Sequence, residues 1–315
     1  DGGKQAKVDP SAVEAATATV RAVVENVERV IVGQHETTEQ LVTALLGGGH
    51  VLLEDIPGVG KTMLARAVAD SFDGKFRRVQ FTPDLLPSDV TGVNVYDQQS
   101  QSFEFQSGPV FANVVLGDEI NRAPPKTQSA LLEAMEEQQV TVDGETRTLP
   151  EPFTVIATQN TVEGDRAYDL PMAQVDRFMK KLQLGYPGDG NEVEMLDRVV
   201  GTHPIDQLEP VASLDDLRAA RVATAQVTVS DALKQYATRL ATYTRSHAQL
   251  GVSPRGTIAL VQAAQARAIL EGRPYAVPND IQTEAPAVLA HRIRTGANQD
   301  ATALVAETLE RVPVE

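Results

Sequence analysis

The 315-residue chain contains no cysteine, which excludes disulfides, thiolate metal sites and any Cys-His nucleophile. It has no run of the roughly 18 apolar residues that a membrane-spanning helix needs, so no membrane insertion is expected. Positive charge is not in surplus either: 28 Lys and Arg face 43 Asp and Glu, for a formal net charge of −15. That balance argues against a general nucleic-acid binder, which needs a basic face to neutralise phosphates, and leaves room only for a local basic site. The histidines, His35, His50, His203, His247 and His291, lack metal-ligand spacing such as His-Glu-x-x-His. No Gly-x-Ser-x-Gly nucleophile turn occurs. Internal repeats and low-complexity tracts are missing as well. The opening "DGGKQAKVDP" has no apolar stretch after its charges and does not read as a signal peptide. Residues 1–10 are expected to form a flexible tail, and the protein to be cytoplasmic.

What the chain does carry is an ordinary globular composition, 42% hydrophobic and 23% charged. Its length suits one large domain or two smaller ones, with a core that needs no staples. Val20, Val23, Val24, Val27 and Val30 recur at helical spacing and predict a helix over residues 11–30. "IVGQHETTEQLVTALLGGG" predicts a turn, a capping threonine and a second amphipathic helix that stops at the glycines. "HVLLE", "KFRRVQF", "VVLGDE" and "FTVIATQN" are runs of strand length with helical patterns between several of them. That rhythm predicts a parallel sheet covered by helices on both faces. "GVNVYDQQSQSFEFQSG" and "QVTVDGETRTLP" alternate about polar turns and read as β-hairpins, the second around Asp143-Gly144. Beyond "KKLQLGYPGDG" the chain becomes Ala-rich and helical. This change of character, over residues 187–210, predicts an α/β domain at 11–190 and an all-helical domain at 191–315.

"EDIPGVGKTMLARAVAD" places a glycine loop between a strand and a helix, the context in which Gly-x-Gly-Lys-Thr becomes a phosphate site. Backbone N–H groups of such a loop and of the helix start point at an anion, and the helix dipole adds to the attraction. The nucleotide-contacting stretch is Pro57, Gly58, Val59, Gly60, Lys61, Thr62 and Met63. Lys61 would reach the β- and γ-phosphates, and the Thr62 hydroxyl would ligate Mg²⁺. The usual pattern has a glycine where this chain has Asp55. Asp55 sits at the strand exit, where its side chain can turn away, so the departure removes no group that contacts phosphate.

Five further residues, in four places, point to the same chemistry. Asp118 and Glu119 end an apolar run 57 residues after Lys61, at the carboxyl edge of a parallel sheet where ligands of α/β folds sit. Asp118 would hold Mg²⁺ through water, and Glu119 would orient and deprotonate the attacking water. Asn160 ends another strand and would fix that water beside the γ-phosphate. Arg177, in "QVDRFMKKLQL", can enter a neighbouring subunit's site in an oligomeric ATPase. Arg255 follows Ser253, a natural N-cap, and Pro254, so it falls in the first turn of a helix. A cation there opposes the helix dipole, and an anionic ligand would offset that cost. Taken singly, each has a plainer reading: an acidic strand end, a turn-forming Asn, a solvated flank, a surface accident.

Together these residues resemble the MoxR family of AAA+ ATPases. The stretches that carry the likeness are "VIVGQHE", "GGGHVLLEDIPGVGKT", "QFTPDLLPSDVTG", "SGPVFANVVLGDEINRAPPKTQSALLEAMEEQQVTVDG", "PFTVIATQN", "LPMAQVDRF" and "SPRG", in order from about residue 30 to 256. "EGRPYAVPNDI" and "VLAHRI" extend it over nearly the whole chain. The resemblance implies a P-loop AAA+ parallel-sheet domain with two β-hairpin inserts, then a small all-helical lid. It assigns Lys61 and Thr62 to Walker A, Asp118 and Glu119 to Walker B, Asn160 to sensor-1, Arg177 to the arginine finger and Arg255 to sensor-2. Ile31, Val32, Gly33 and Gln34 match the segment near the adenine, and Arg122 matches a position facing nucleotide across a subunit interface. Family members carry Gly or Asp at the position of Asp55. This chain departs from them in "TQNTVEGDRAYDLP", where Thr161 replaces a usual proline and Asp165-Arg166-Ala167 replaces part of a Glu-Gly-Thr-Tyr run.

By this resemblance the protein is an ATP-hydrolysing, Mg²⁺-dependent motor with chaperone-like work, forming homo-oligomeric rings, often hexamers. Its expected partners carry von Willebrand factor A domains, and its expected task is maturation of, or metal-cofactor insertion into, other proteins. Alternatives on the same fold are a magnesium-chelatase-like motor subunit and a DNA-acting relative such as the MCM helicases. A third is a nucleotide-dependent scaffold that binds ATP without turnover.

Overall fold

The computed structural model describes residues 8–55, 58, 60–160, 168–185, 204–296 and 299–315, for Asp55 and Asn160 by backbone alone. Five parallel strands form the centre: β1 (Val51–Asp55), β2 (Phe76–Gln80), β5 (Val114–Asp118), β8 (Thr154–Asn160) and β9 (Lys180–Leu182), in the order β2-β5-β8-β1-β9. The two-residue period of a strand sends alternate side chains to opposite faces. Val51, Leu53, Val114, Leu116 and Ile156 join one apolar core, while Leu52, Val115, Val155 and Ala157 join the other. Burying a Val, Leu or Ile side chain stabilises by roughly 1.5–3 kcal/mol, and these strands bury such residues on both faces.

Helices cover both faces, as the alternation of apolar runs and helical patterns predicts. α1 (Pro10–Glu28) starts where Asp9 caps the Ser11 N–H at 2.9 Å, and turns Val13, Val20, Val23, Val24 and Val27 inward. It stops two residues short of the expected end. α2 (His35–Leu46) departs from expectation at its start: its N-cap is Gln34, and no threonine caps it. Thr37 lies inside the first turn, with its hydroxyl on Gln34 Oε1 at 3.2 Å. Gln34 is fixed from elsewhere, since its Nε2 donates to the Leu184 carbonyl at 2.7 Å, and this tertiary contact sets where the helix begins. α3 (Lys61–Ser71) follows β1, and α5 (Pro125–Glu137) follows β5. Gly117 lets α5 approach, because a Cβ there would stand 2.9 Å from Leu131 Cδ2.

Both hairpins are present. β3 (Gly92–Asp97) pairs with β4 (Ser102–Ser107), after the short helix α4 (Pro87–Thr91). β6 (Gln139–Val142) pairs with β7 (Glu145–Thr148) through Asp143 and Gly144, both left-handed, the turn type that matches strand twist. The hairpins meet: Asn94 Nδ2 donates to Asp143 Oδ2 at 2.8 Å, and the Arg147 guanidinium lies 4.0 Å from the Phe105 ring centre.

After α6 (Met172–Val175) and β9, the described elements from 204 onward are helices, joined by loops. They form α7 (Leu214–Gln226), α8 (Asp231–His247), α9 (Pro254–Leu270), α10 (Pro278–Leu289) and α11 (Ala301–Arg311). Their apolar residues share one core cluster with α1, α2 and α3. A buried charge network joins them to the edge of the sheet. Lys180 of β9 pairs with Glu284 of α10 and donates to Gln40 Oε1 (2.7 Å) and Thr43 Oγ1 (2.6 Å) of α2. Arg267 of α9 completes it, donating to Glu284 Oε1 at 2.8 Å and Glu39 Oε2 at 2.7 Å. The boundary expected at residue 190 falls outside the described residues.

Candidate nucleotide site

The carboxyl ends of β1, β5 and β8 lie side by side, and most of the sequence-predicted residues gather there. Asp55 is the last residue of β1 and stands opposite Asn160, the last of β8. Gly58 and Gly60 adopt φ of 89° and 95°, which glycine reaches without strain. Gly60 is the N-cap of α3, and no side chain caps that helix. Its first turn, with Lys61, Thr62 and Met63, therefore starts at that edge, where the N-terminal end of a helix dipole favours an anion. Pro57 and Val59 lie outside the described residues, as do Thr161 and residues 165–167, and so does the Asn160 side chain.

Asp118 and Glu119 are held by neighbours on other strands. The Thr158 hydroxyl of β8 donates to Asp118 Oδ1 at 2.7 Å and accepts the Glu119 N–H at 2.8 Å. The second oxygen of Asp118 takes Arg78 of β2, through Nη2 at 2.6 Å and Nε at 3.2 Å. Glu119 has φ 55° and ψ 50°, a left-handed conformation uncommon outside glycine that turns its carboxylate out of line with the strand. That carboxylate accepts Gln80 Nε2 at 2.7 Å and Arg122 Nη1 at 2.8 Å. Arg78, Gln80 and Thr158 escaped the sequence reading. The signal for Thr158 was a hydroxyl inside an apolar strand, and for the other two the alternation of "RRVQ".

The donor set suits a nucleotide with a hard divalent cation. Among the described residues no three acidic or histidine groups stand together as a metal site. A cation at Asp118 and Thr62 would draw its other ligands from phosphate and water, the mode Mg²⁺ favours. Val32 and Gly33 come to the same edge, because the Gln34 contact to Leu184 anchors their segment just past the end of β9.

Arg177 and Arg255 are placed elsewhere. β9 runs parallel to β1 with Lys180 opposite Val51, so Arg177 precedes the strand at the amino edge. Met179 N donates to the carbonyl of His50, the residue before β1, at 2.9 Å. His50 Nε2 in turn meets the Met135 carbonyl at 3.1 Å, which brings the end of α5 to the same edge. There Glu136 pairs with Arg177 at 3.2 Å and with Arg255 at 2.5 Å. Arg255 lies in the first turn of α9 as expected, with Ser253 Oγ accepting the Gly256 N–H at 3.1 Å. The anion beside it in this chain is the Glu136 carboxylate. Four residue steps of β1 put about 13 Å between the two edges, beyond the reach of an arginine side chain.

Residues 50–180 match the ATPase family associated with various cellular activities (AAA), and residues 240–312 match the AAA lid domain. The chain is 50% identical over 290 residues to YeaC of Bacillus subtilis (strain 168), spanning 91% of each protein. It is 42% identical over 286 residues to Chaperone MoxR1 of Mycobacterium tuberculosis, covering 87% of this chain and 75% of that one. A crystal structure of a Cytophaga hutchinsonii protein assigned as an ATPase superposes with a TM-score of 0.90 and 38% identity, over 96% of this chain and 97% of that one.

Proposed function

Because the chain belongs to the MoxR family of AAA+ ATPases, we propose that it binds ATP with Mg²⁺ at the carboxyl edge of its sheet and hydrolyses it with help from a neighbouring copy. The observation that carries this reading is the convergence on that edge of an uncapped, glycine-led helix N-terminus and a carboxylate pair tied together by Thr158.

The N–H groups that open α3, with the cradle from Pro57 to Met63, take the phosphates, and Lys61 sits on the β- and γ-phosphates. Thr62 and, through water, Asp118 would hold Mg²⁺, which would neutralise phosphate charge. Glu119 orients the attacking water and accepts its proton, with Gln80 and Arg122 fixing where the carboxylate stands. Asn160 holds that water from the end of β8, and Val32 and Gly33 border the adenine.

Arg177 and Arg255, on the opposite edge, act on the nucleotide of the next copy, where such arginines contribute about 10³- to 10⁵-fold in rate. A site divided between two edges of one chain calls for a head-to-tail interface, which closes into a ring when the rotation allows. A hexamer is the ring proposed. Residues 11–190 would form its nucleotide-binding domain and 191–315 its lid. Its work would be chaperone-like maturation, including metal-cofactor insertion, with partners carrying von Willebrand factor A domains.

The test is Mg-ATP turnover by the wild-type protein and by Glu119→Gln. The variant should bind ATP as before and lose hydrolysis by about 10²- to 10⁴-fold, the usual contribution of a positioned base. Equal turnover by the two proteins would remove Glu119 from the reaction. ATP binding without turnover by the wild type would favour the scaffold reading.

A further inference from the structure

At the sheet edge away from the phosphate loop, one carboxylate stands between two guanidinium groups. Glu136 Oε1 accepts Arg255 Nη2 at 2.5 Å, and its Oε2 lies 3.2 Å from Arg177 Nη2. Met135, Glu136, Arg177 and Arg255 line a shallow cavity of about 130 Å³. The three charged groups come from three elements: the last turn of α5, the turn after α6 and the first turn of α9. None of them is buried, with side-chain exposures of 36%, 30% and 47% for Glu136, Arg177 and Arg255.

The backbones around this cluster are held independently of it. Asp176, the neighbour of Arg177, accepts Ser253 Oγ at 3.0 Å and Arg292 Nε at 2.7 Å, which ties the start of α9 to the turn after α6. The guanidinium ends are another matter. Two long cationic side chains repel each other and have many rotamers, and Arg255 also opposes the dipole of α9. A shared carboxylate cancels the repulsion and fixes both ends. Its two oxygens present one acceptor to each arginine, the pattern that two oxygens of a phosphoryl group would present.

We propose that Glu136 is a positioning residue of the shared site: it holds the guanidinium ends of Arg177 and Arg255 side by side, ready for transfer to the phosphate oxygens of a neighbouring copy's nucleotide. The inference rests on the reading that both arginines act across an interface. Glu136 itself acts only through the two arginines. It lies at the amino edge of the sheet, so it leaves nucleotide affinity at its own phosphate loop unaltered. Its effect falls on turnover, because arginines displaced by about 1 Å can cost on the order of 100-fold in rate.

The experiment compares the full-length wild type with Glu136→Gln and Glu136→Asp, measuring kcat, the Kd for a fluorescent ATP analogue, and Tm. Expected for Glu136→Gln is a fall in kcat of about ten- to 100-fold, with Kd within about twofold and Tm unchanged. Glu136→Asp keeps the charge one methylene shorter and should recover most of the lost kcat. Wild-type kcat in Glu136→Gln overturns the proposal, and so does an equal loss in both variants with a lowered Tm, which marks a structural role. Wild-type protein that fails to hydrolyse ATP removes the underlying reading instead, and the inference falls with it.

Discussion

The Thr158 hydroxyl serves both carboxylate residues of the site, donating to Asp118 Oδ1 and accepting the Glu119 N–H. Thr158→Val keeps the shape and deletes both bonds. It should lower kcat by about ten- to 100-fold, the range for residues that orient a metal-binding carboxylate. It should also destabilise the fold by roughly 1–3 kcal/mol, since partners are left unpaired. A steady-state assay beside urea unfolding checks both, and wild-type kcat would show that Asp118 needs no such support. At this scale the sequence is legible where function is contiguous. Gly58, Gly60, Lys61 and Thr62 form one short run, and Asp118 and Glu119 are adjacent, so the chemistry proposed for them follows from order alone. Arg78, Gln80, Thr158 and Glu136 take their meaning from partners 40, 39, 40 and 119 residues away. Strand alternation says which face such residues occupy, but not whom they meet there.

His50 joins elements across the amino edge of the sheet. Its Nδ1 accepts the Val155 N–H of β8 at 2.9 Å, and its Nε2–H donates to the Met135 carbonyl at the end of α5. Burial pushes its pKa down from 6.5 to about 4, so the folded protein keeps it neutral. The unfolded chain takes up this proton near pH 6.5 and the folded chain only near 4, so stability is full above 6.5 and falls as the pH drops between them. Between pH 7.5 and 5 the loss from this residue comes to about 2 kcal/mol. Urea unfolding across that range should show a shallower pH dependence for His50→Gln than for wild type, and identical slopes would contradict the assignment. His291, buried and likewise held well below the usual histidine value, should still contribute in the variant. The elements themselves were largely visible in advance, because apolar spacing and the Asp143-Gly144 turn are local signals. The start of α2 was not: a local capping threonine looked sufficient, and the bond from Gln34 to Leu184, 150 residues away, decides otherwise.

Across the whole molecule the phosphate loop and the acidic pair occupy one edge of the sheet, and the two arginines occupy the other. The network of Lys180, Glu284, Arg267 and Glu39 ties the C-terminal helices to the edge strand of the sheet. Sequence motifs named both sets of residues without showing that they stand at opposite edges of the sheet. The parallel register of β1 and β9 shows it, because it assigns the ends of strands to opposite sides. The proposed site made from two copies can be tested by mixing. Glu119→Gln keeps its arginines and loses its base, whereas Arg177→Ala keeps its base and loses an arginine. Each variant alone should be inactive. In a random 1:1 mixture roughly a quarter of head-to-tail interfaces would join an intact base to an intact arginine, so Mg-ATP hydrolysis should return to about that fraction of wild type. A mixture no more active than the sum of its parts would contradict a site shared between copies.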